Sequence, residues 1–252
     1  MRTTFAVLAT TTAAALALTA MFAAPSSAAV DDTTAPVVKR VDVRPETVGL
    51  YKDHPTRVTI AVRVVDAVGV DEVVGGLLSE RDDDAGQEFP LELISGTPQD
   101  GIWGTTLFTD KREVTGLWAA YAVARDAAGN ESPLDETSRF DEFYVKRNTM
   151  IRGFNVREPA VKGSYLRMSG RLVRLDPTRG YVGYRSKTIH VLFRAKGSAT
   201  LVKMGEITTS DTGSFANTRR FRAERDGTWL VLFNGTSNYL GEVSHRDFVD
   251  VT

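Results

Sequence analysis

The 252-residue chain reads as all-β: two tandem antiparallel β-sandwiches following an N-terminal signal peptide. Three observations predict this. Apolar and polar residues alternate along most of the chain, turns bearing Gly, Asp and Asn recur between the alternating runs, and no window beyond residue 29 sustains a helical stripe. Successive side chains of a strand point to opposite faces, so alternation marks one dry face and one wet face.

The elements follow in order. Met1-Arg2 gives a short positive start, residues 5–22 are uncharged and rich in Ala, Leu, Val and Thr, and Ser27 and Ala29 fit the −3 and −1 positions of a cleavage site. That three-part layout predicts a signal peptide over 1–29. A membrane anchor is the competing reading, since a spanning helix needs about 20 apolar residues, but the threonines and the small-residue end favour removal. No cysteine follows the apolar run, and 247–252 has neither an apolar tail nor a basic cluster. The expected product is therefore secreted, without stable membrane insertion, either free outside the cell or associated with the cell wall.

Strands are expected at 37–43, 57–65, 70–79, 87–94, 102–108, 117–125 and 139–146. Val58, Ile60, Val62 and Val64 share one face of the second; Trp118, Ala120, Ala122 and Ala124 share one face of the sixth. Turn signals separate them at Val68-Gly69, Asp84-Ala85-Gly86, Asp100-Gly101 and Ala128-Gly129-Asn130. Further strands are expected at 165–173, 188–194, 199–207, 214–221, 228–233 and 243–251. Trp229, Val231 and Phe233 share a face, which makes Trp229 a core anchor in preference to a ligand platform. A boundary at Lys146–Thr149 divides the chain into domains 30–149 and 150–252, each of ordinary domain size.

Composition narrows function. A formal net charge of −1 with 42% hydrophobic residues excludes a chain that coats nucleic acid and a disordered acidic tail. The absence of cysteine excludes a disulfide scaffold, a thiolate zinc site and a cysteine nucleophile. The balance hides a segregation, however: residues 30–149 carry 13 Lys and Arg against 23 Asp and Glu, and residues 150–252 carry 17 against 9. The first half is net −10 and the second net +8. Either the halves attract one another, or the basic half holds an anionic cell-envelope polymer. Arg219-Arg220-Phe221-Arg222 is the densest basic cluster.

The run from Gly116 through Leu117-Trp118-Ala119-Ala120-Tyr121-Ala122-Val123-Ala124-Arg125-Asp126 to Ala127-Ala128-Gly129-Asn130 resembles the late-strand signature of bacterial immunoglobulin-like domains of secreted proteins. Trp118 stands where that signature has tyrosine. Val65-Asp66-Ala67-Val68-Gly69-Val70 resembles the family's turn between second and third strands, and Asp226-Gly227-Thr228-Trp229 through Asn234-Gly235 and Tyr239 resembles its terminal modules. The resemblance implies a tandem pair of immunoglobulin-like sandwiches over 33–252. It implies little about activity, because this architecture hosts unrelated roles.

In such a sandwich the loops after the second and sixth expected strands share a pole. Those loops carry Asp66 and Asp71, and Asp126, Asn130 and Glu131. Calcium takes six to eight oxygen ligands, so these residues are the candidate metal ligands and calcium the candidate cofactor. The competing reading is turn chemistry, with the Asp side chains accepting backbone N–H bonds. Asp82-Asp83-Asp84 lacks the spacing of an EF-hand loop and reads as a solvated loop. Tyr181, Tyr184, Arg185 and Tyr239 are candidate sugar-binding residues, the alternative being aromatic packing over the end of the sandwich. His54, His190 and His245 form no closely spaced pair, and the chain has no nucleophile elbow, P-loop or dinucleotide fingerprint. The expected function is a secreted, non-catalytic binding or envelope-associated protein, whose partner is an anionic envelope polymer or another secreted protein and not nucleic acid. The alternative is an inhibitor or accessory of a secreted hydrolase, with 175–180 as the inserting loop.

Overall fold

The computed structural model describes residues 32–135, 138–217 and 220–252, so the signal peptide expected at 1–29 lies outside the described residues. Apart from one 3₁₀ turn at Asp83–Ala85, every regular element among the described residues is a strand. The chain forms two compact units. The first holds 32–48, 56–110 and 117–143; the second holds 49–55, 111–116 and 144–252.

One sheet contains β1 (Val37–Arg44), β2 (Thr47–Leu50), β3 (Thr56–Val65), β4 (Val70–Ser79), β5 (Gln87–Gly96), β6 (Asp100–Thr109), β7 (Gly116–Asp126) and β8 (Asp141–Arg147). Their order is β1-β3-β6-β5-β4-β7-β8-β2. The strand β5 serves two layers: residues 87–91 pair with β4, and residues 92–96 pair with β6 across a register shift. A strand that changes partners at a bulge turns the corner between layers. The expected alternation is realised. Val58, Ile60, Val62 and Val64 on β3 and Trp118, Ala120, Ala122 and Ala124 on β7 are all buried, with Trp118 stacked on Phe143 at a centroid distance of 6.4 Å. Gly76 on β4 is the register partner of Tyr121 on β7, and the tyrosine ring lies over the glycine and fills the place of a side chain. The Tyr121 hydroxyl donates to Glu88 Oε1 at 2.9 Å.

The second unit adds β9 (Thr149–Val156), β10 (Met168–Asp176), β11 (Gly180–Gly183), β12 (Thr188–Ala195), β13 (Val202–Thr208), β14 (Ser214–Ala216), β15 (Gly227–Phe233), β16 (Glu242–Val243) and β17 (Asp247–Val249). In one sheet β10 pairs with β9, β11 and β14; in the other β12 lies between β13 and β15, and β15 also pairs with β16 and β17. Their apolar faces enclose a core in which Trp229, 3% exposed, sits 4.7 Å from Phe193 and 6.3 Å from Phe221, measured between ring centroids.

Several boundaries differ from the expectation, each for a local reason. The expected strand at 165–173 is β10, which starts at Met168: Leu166 N donates instead to Phe221 O. The strand expected at 214–221 stops at Ala216, where Asn217 turns and its Nδ2 donates to Leu166 O. The one expected at 243–251 is divided at Ser244, whose Oγ accepts from Val231 N and donates to His245 O. Strands β2, β9 and β11 were not expected. Gly153 in β9 has φ +58°, a left-handed residue that interrupts the apolar period.

Arg147 and the segment 111–116 belong to the same unit and are bonded to one another. The Arg147 guanidinium donates to Lys111 O at 3.3 Å, Glu113 O at 2.8 Å and Thr115 Oγ1 at 3.3 Å. Asn148 N in turn donates to Leu50 O at 2.9 Å, within the included segment 49–55.

Candidate functional site

Three of the five expected residues, Asp66, Asp126 and Asn130, come together, and Asp32, which was not expected, joins them. Carboxylate oxygens of Asp32, Asp66 and Asp126 lie within 4.8 Å of one another. Asp66 begins the β3–β4 loop and Asp126 ends β7, so the two loops do share a pole; Asp32 comes from the segment ahead of β1. Asp71 and Glu131 are exposed and outside this cluster.

Both readings of these residues are visible at once. Asp66 Oδ1 accepts from Val68 N at 2.9 Å and Gly69 N at 2.7 Å, which closes a tight Asx-type turn. The loop is also tied at its back, where Asp66 N donates to Gln99 O and Val70 N to Pro98 O, each at 2.9 Å. Asp126 Oδ1 accepts from Asn130 N at 2.9 Å, and Gly129 between them takes φ +92°. Asn130 Nδ2 donates to Asp126 Oδ2 at 2.8 Å and to Asp32 O at 2.9 Å, tying the segment ahead of β1 to the end of β7. Burial raises the Asp126 pKa, but hydrogen bonds from the Asn130 side chain and from the backbone of 128–130 outweigh it, leaving the carboxyl below the usual carboxylate range.

Turn bonds do not account for everything. Asp32 Oδ1 accepts from Thr34 N at 2.9 Å, yet Oδ2 is buried without a hydrogen-bond partner. Asp66 and Asp126 are 8% and 2% exposed, and none of the three carboxylates has an ion-pair partner among the described residues. Buried charges are ordinarily paired or coordinate metal. The donor set is oxygen alone, which suits a hard cation such as calcium. Sequence reasoning missed Asp32 because its partner Asn130 is 98 residues away; the available signal was an acidic residue directly ahead of the first strand.

The candidate sugar-binding residues are placed differently. Tyr184 is 8% exposed, packed edge-on against Phe233 at 5.7 Å and tilted against Tyr239 at 4.9 Å between centroids. Arg174 lies over the rings of Tyr184 and Tyr239, and its Nη1 donates to the Tyr239 hydroxyl at 2.8 Å. Tyr181 is half-buried, its hydroxyl accepting from Asn148 Nδ2 at 2.8 Å; Arg185 is exposed. Tyr184 is thus an interior packing residue, Tyr181 and Tyr239 are half-buried, and Arg185 lies at the surface. The loop 175–180 is a closed turn in which Asp176 Oδ1 accepts from Thr178 N and Arg179 N while Oδ2 accepts from Arg179 Nη2.

The histidines occupy separate settings. His54 stacks on Tyr51, His245 meets Phe154 edge-on, and His190 Nε2 contacts Asn234 Nδ2 at 3.0 Å.

No family model matches the chain, and no curated protein matches it. Among solved structures it is similar to the fibronectin(III)-like modules of Clostridium thermocellum CbhA, at 14% identity and TM-score 0.37 over 84% of this chain and 92% of that one. It is also similar to red sea bream transglutaminase, at 10% identity and TM-score 0.37 over 86% of this chain but 32% of the transglutaminase, about a third of its length. At scores of this size the sandwich assignment rests on the strand pairing described above.

Proposed function

We propose that this protein is an exported, non-catalytic binding module of two immunoglobulin-like sandwiches, which adheres to an anionic cell-envelope polymer through its basic half. The observation that carries this reading is the charge segregation, net −10 over 30–149 and net +8 over 150–252. Charge acts only within about 8–10 Å at physiological salt, so adhesion is a contact property of the second unit. The test is co-sedimentation of the full chain with purified anionic wall polymer. Retention is expected at low salt and release as ionic strength rises; retention that ignores salt refutes the electrostatic reading.

The convergence of Asp32, Asp66 and Asp126 supports a second element, a calcium ion bracing the first unit. The three carboxylates would supply part of the coordination shell, with backbone carbonyls and water completing it. Calcium at tenfold its dissociation constant adds about 1.4 kcal/mol to the folded state, a rise of several degrees in melting temperature. Chelated protein titrated with millimolar calcium is expected to show that rise, and Asp32→Ala to abolish it. An unchanged melting curve removes calcium and leaves turn chemistry alone.

A further inference from the structure

Within the second unit, β9, β10 and β14 on one sheet and β13 on the other border a groove of about 930 Å³. Arg152, Arg171 and Arg220 line it, together with hydroxyl side chains such as Ser169, Thr208 and Ser214. We infer that this groove binds a phosphodiester-linked polyol chain, with the three guanidiniums on successive phosphates and the hydroxyls on the polyol. The inference rests on the adhesion reading and gives it a site and a ligand class.

The register supplies the first argument. Arg152 on β9 is the direct cross-strand partner of Arg171 on β10, and Ser214 on β14 is Arg171's partner on the other side. Like charges placed directly opposite in a sheet are destabilising. None of the three arginines is ion-paired with a carboxylate among the described residues. The one carboxylate lining the groove, Glu206, is engaged by Lys203 at 2.7 Å and lies 3.2 Å from His190. An anionic ligand supplies the missing counter-charge.

The second argument is preorganisation. Each arm is held by neutral contacts that leave guanidinium donors unused, Arg152 also donating from Nη2 to Met150 Sδ at 3.7 Å. Arg171 Nε donates to Thr212 O at 2.9 Å, Arg220 Nη1 donates to Glu206 O at 2.6 Å, and the Arg152 guanidinium lies 4.9 Å from the centroid of the Tyr181 ring. A register shift between Ser169 and Arg171 sits at the groove wall, the kind of irregularity that re-aims side chains. Guanidinium forks match phosphate oxygens in a planar, bidentate geometry.

The lining also selects the class of polymer. Its single aromatic residue, Phe215, is 3% exposed, so the groove offers no ring platform. Single-stranded nucleic acid and pyranose chains use such platforms for stacking; a flexible polyol phosphate does not need one.

The test is calorimetric titration of the full chain with poly(glycerol phosphate), with polygalacturonate and single-stranded DNA of equal charge as comparators. The variant is the triple Arg152→Ala, Arg171→Ala, Arg220→Ala. Its control is Arg157→Ala, Arg225→Ala, Arg246→Ala, which removes the same charge from exposed arginines outside the groove. Poly(glycerol phosphate) is expected to bind most tightly. The groove triple is expected to lose at least tenfold in affinity and the control less than threefold, and the groove triple's log–log salt slope to become shallower by about 2, near 0.7 per phosphate contact. Equal losses in both triples overturn the groove while leaving diffuse adhesion standing. Equal binding of polygalacturonate or DNA overturns the ligand class. No binding by the unaltered chain overturns the adhesion reading itself. If the groove triple does not fold, single Arg171→Ala and Arg225→Ala variants are compared by the same ratio.

Discussion

The contact between Gly76 and Tyr121 permits a sharp test of packing in the first unit. A Cβ at Gly76 would overlap the Tyr121 ring carbons, so Gly76→Ala must drive the ring off β4 and with it the hydroxyl's bond to Glu88. Overpacking of this kind costs about 1–3 kcal/mol, and losing the hydrogen bond adds about 1 kcal/mol. A total near 3 kcal/mol corresponds to a drop of roughly 12–24 °C in the melting of a unit of this size. Burial, reinforced by the Glu88 bond, pushes the Tyr121 phenol up to about 12, so the displaced ring should also ionise at lower pH, visible in ultraviolet titration. The decisive assay is a double-mutant cycle by urea denaturation. In a Tyr121→Ser background the clash is gone, and alanine is the better strand residue by about 0.5–1 kcal/mol. Gly76→Ala should therefore reverse sign and stabilise. An equal loss in both backgrounds would refute the ring-over-glycine account.

Other expectations follow from single contacts. The Asp176 carboxyl is held well below the usual carboxylate range, first by the Arg179 side chain and then by the backbone of Arg179 and the Thr178 hydroxyl. Its contribution is complete above the unfolded value near 4 and is lost as pH falls through the depressed folded value; Asp176→Asn should flatten the acid limb of a melting-versus-pH curve, and an unaltered limb contradicts this. Arg147→Met removes its bonds to Lys111 O, Glu113 O and Thr115 Oγ1, with a cost of about 1–3 kcal/mol expected in denaturant titration. Trp229→Ala empties the centre of the second core, and calorimetry should register a loss of about 3–5 kcal/mol.

The strands with strict alternation were legible in the sequence, β3 and β7 above all, because one buried face per strand writes itself into period two. Strand β2 was hidden by its four-residue length, and β9 by Gly153, whose positive φ breaks the period where the pairing with β10 shifts register. At the acidic pole, Asp66 and Asp126 were legible because each stands at the start of a turn with glycine three residues on. Asp32 was not, since only the folded chain brings it to Asn130. The groove was out of reach for a related reason. The pairing of Arg152 with Arg171 depends on a register shift at Ser169 that composition and periodicity do not encode. Tyr184 looked available in a glycine-rich stretch, but its ring completes the interior beside Phe233.

The partner change along β5 has a mechanical corollary. A chain that is stitched at one end to β4 and at the other to β6 ties the two layers together along that side. Under load or heat the first unit should then come apart in a single event, because unfastening either half of that strand undoes the closure of both.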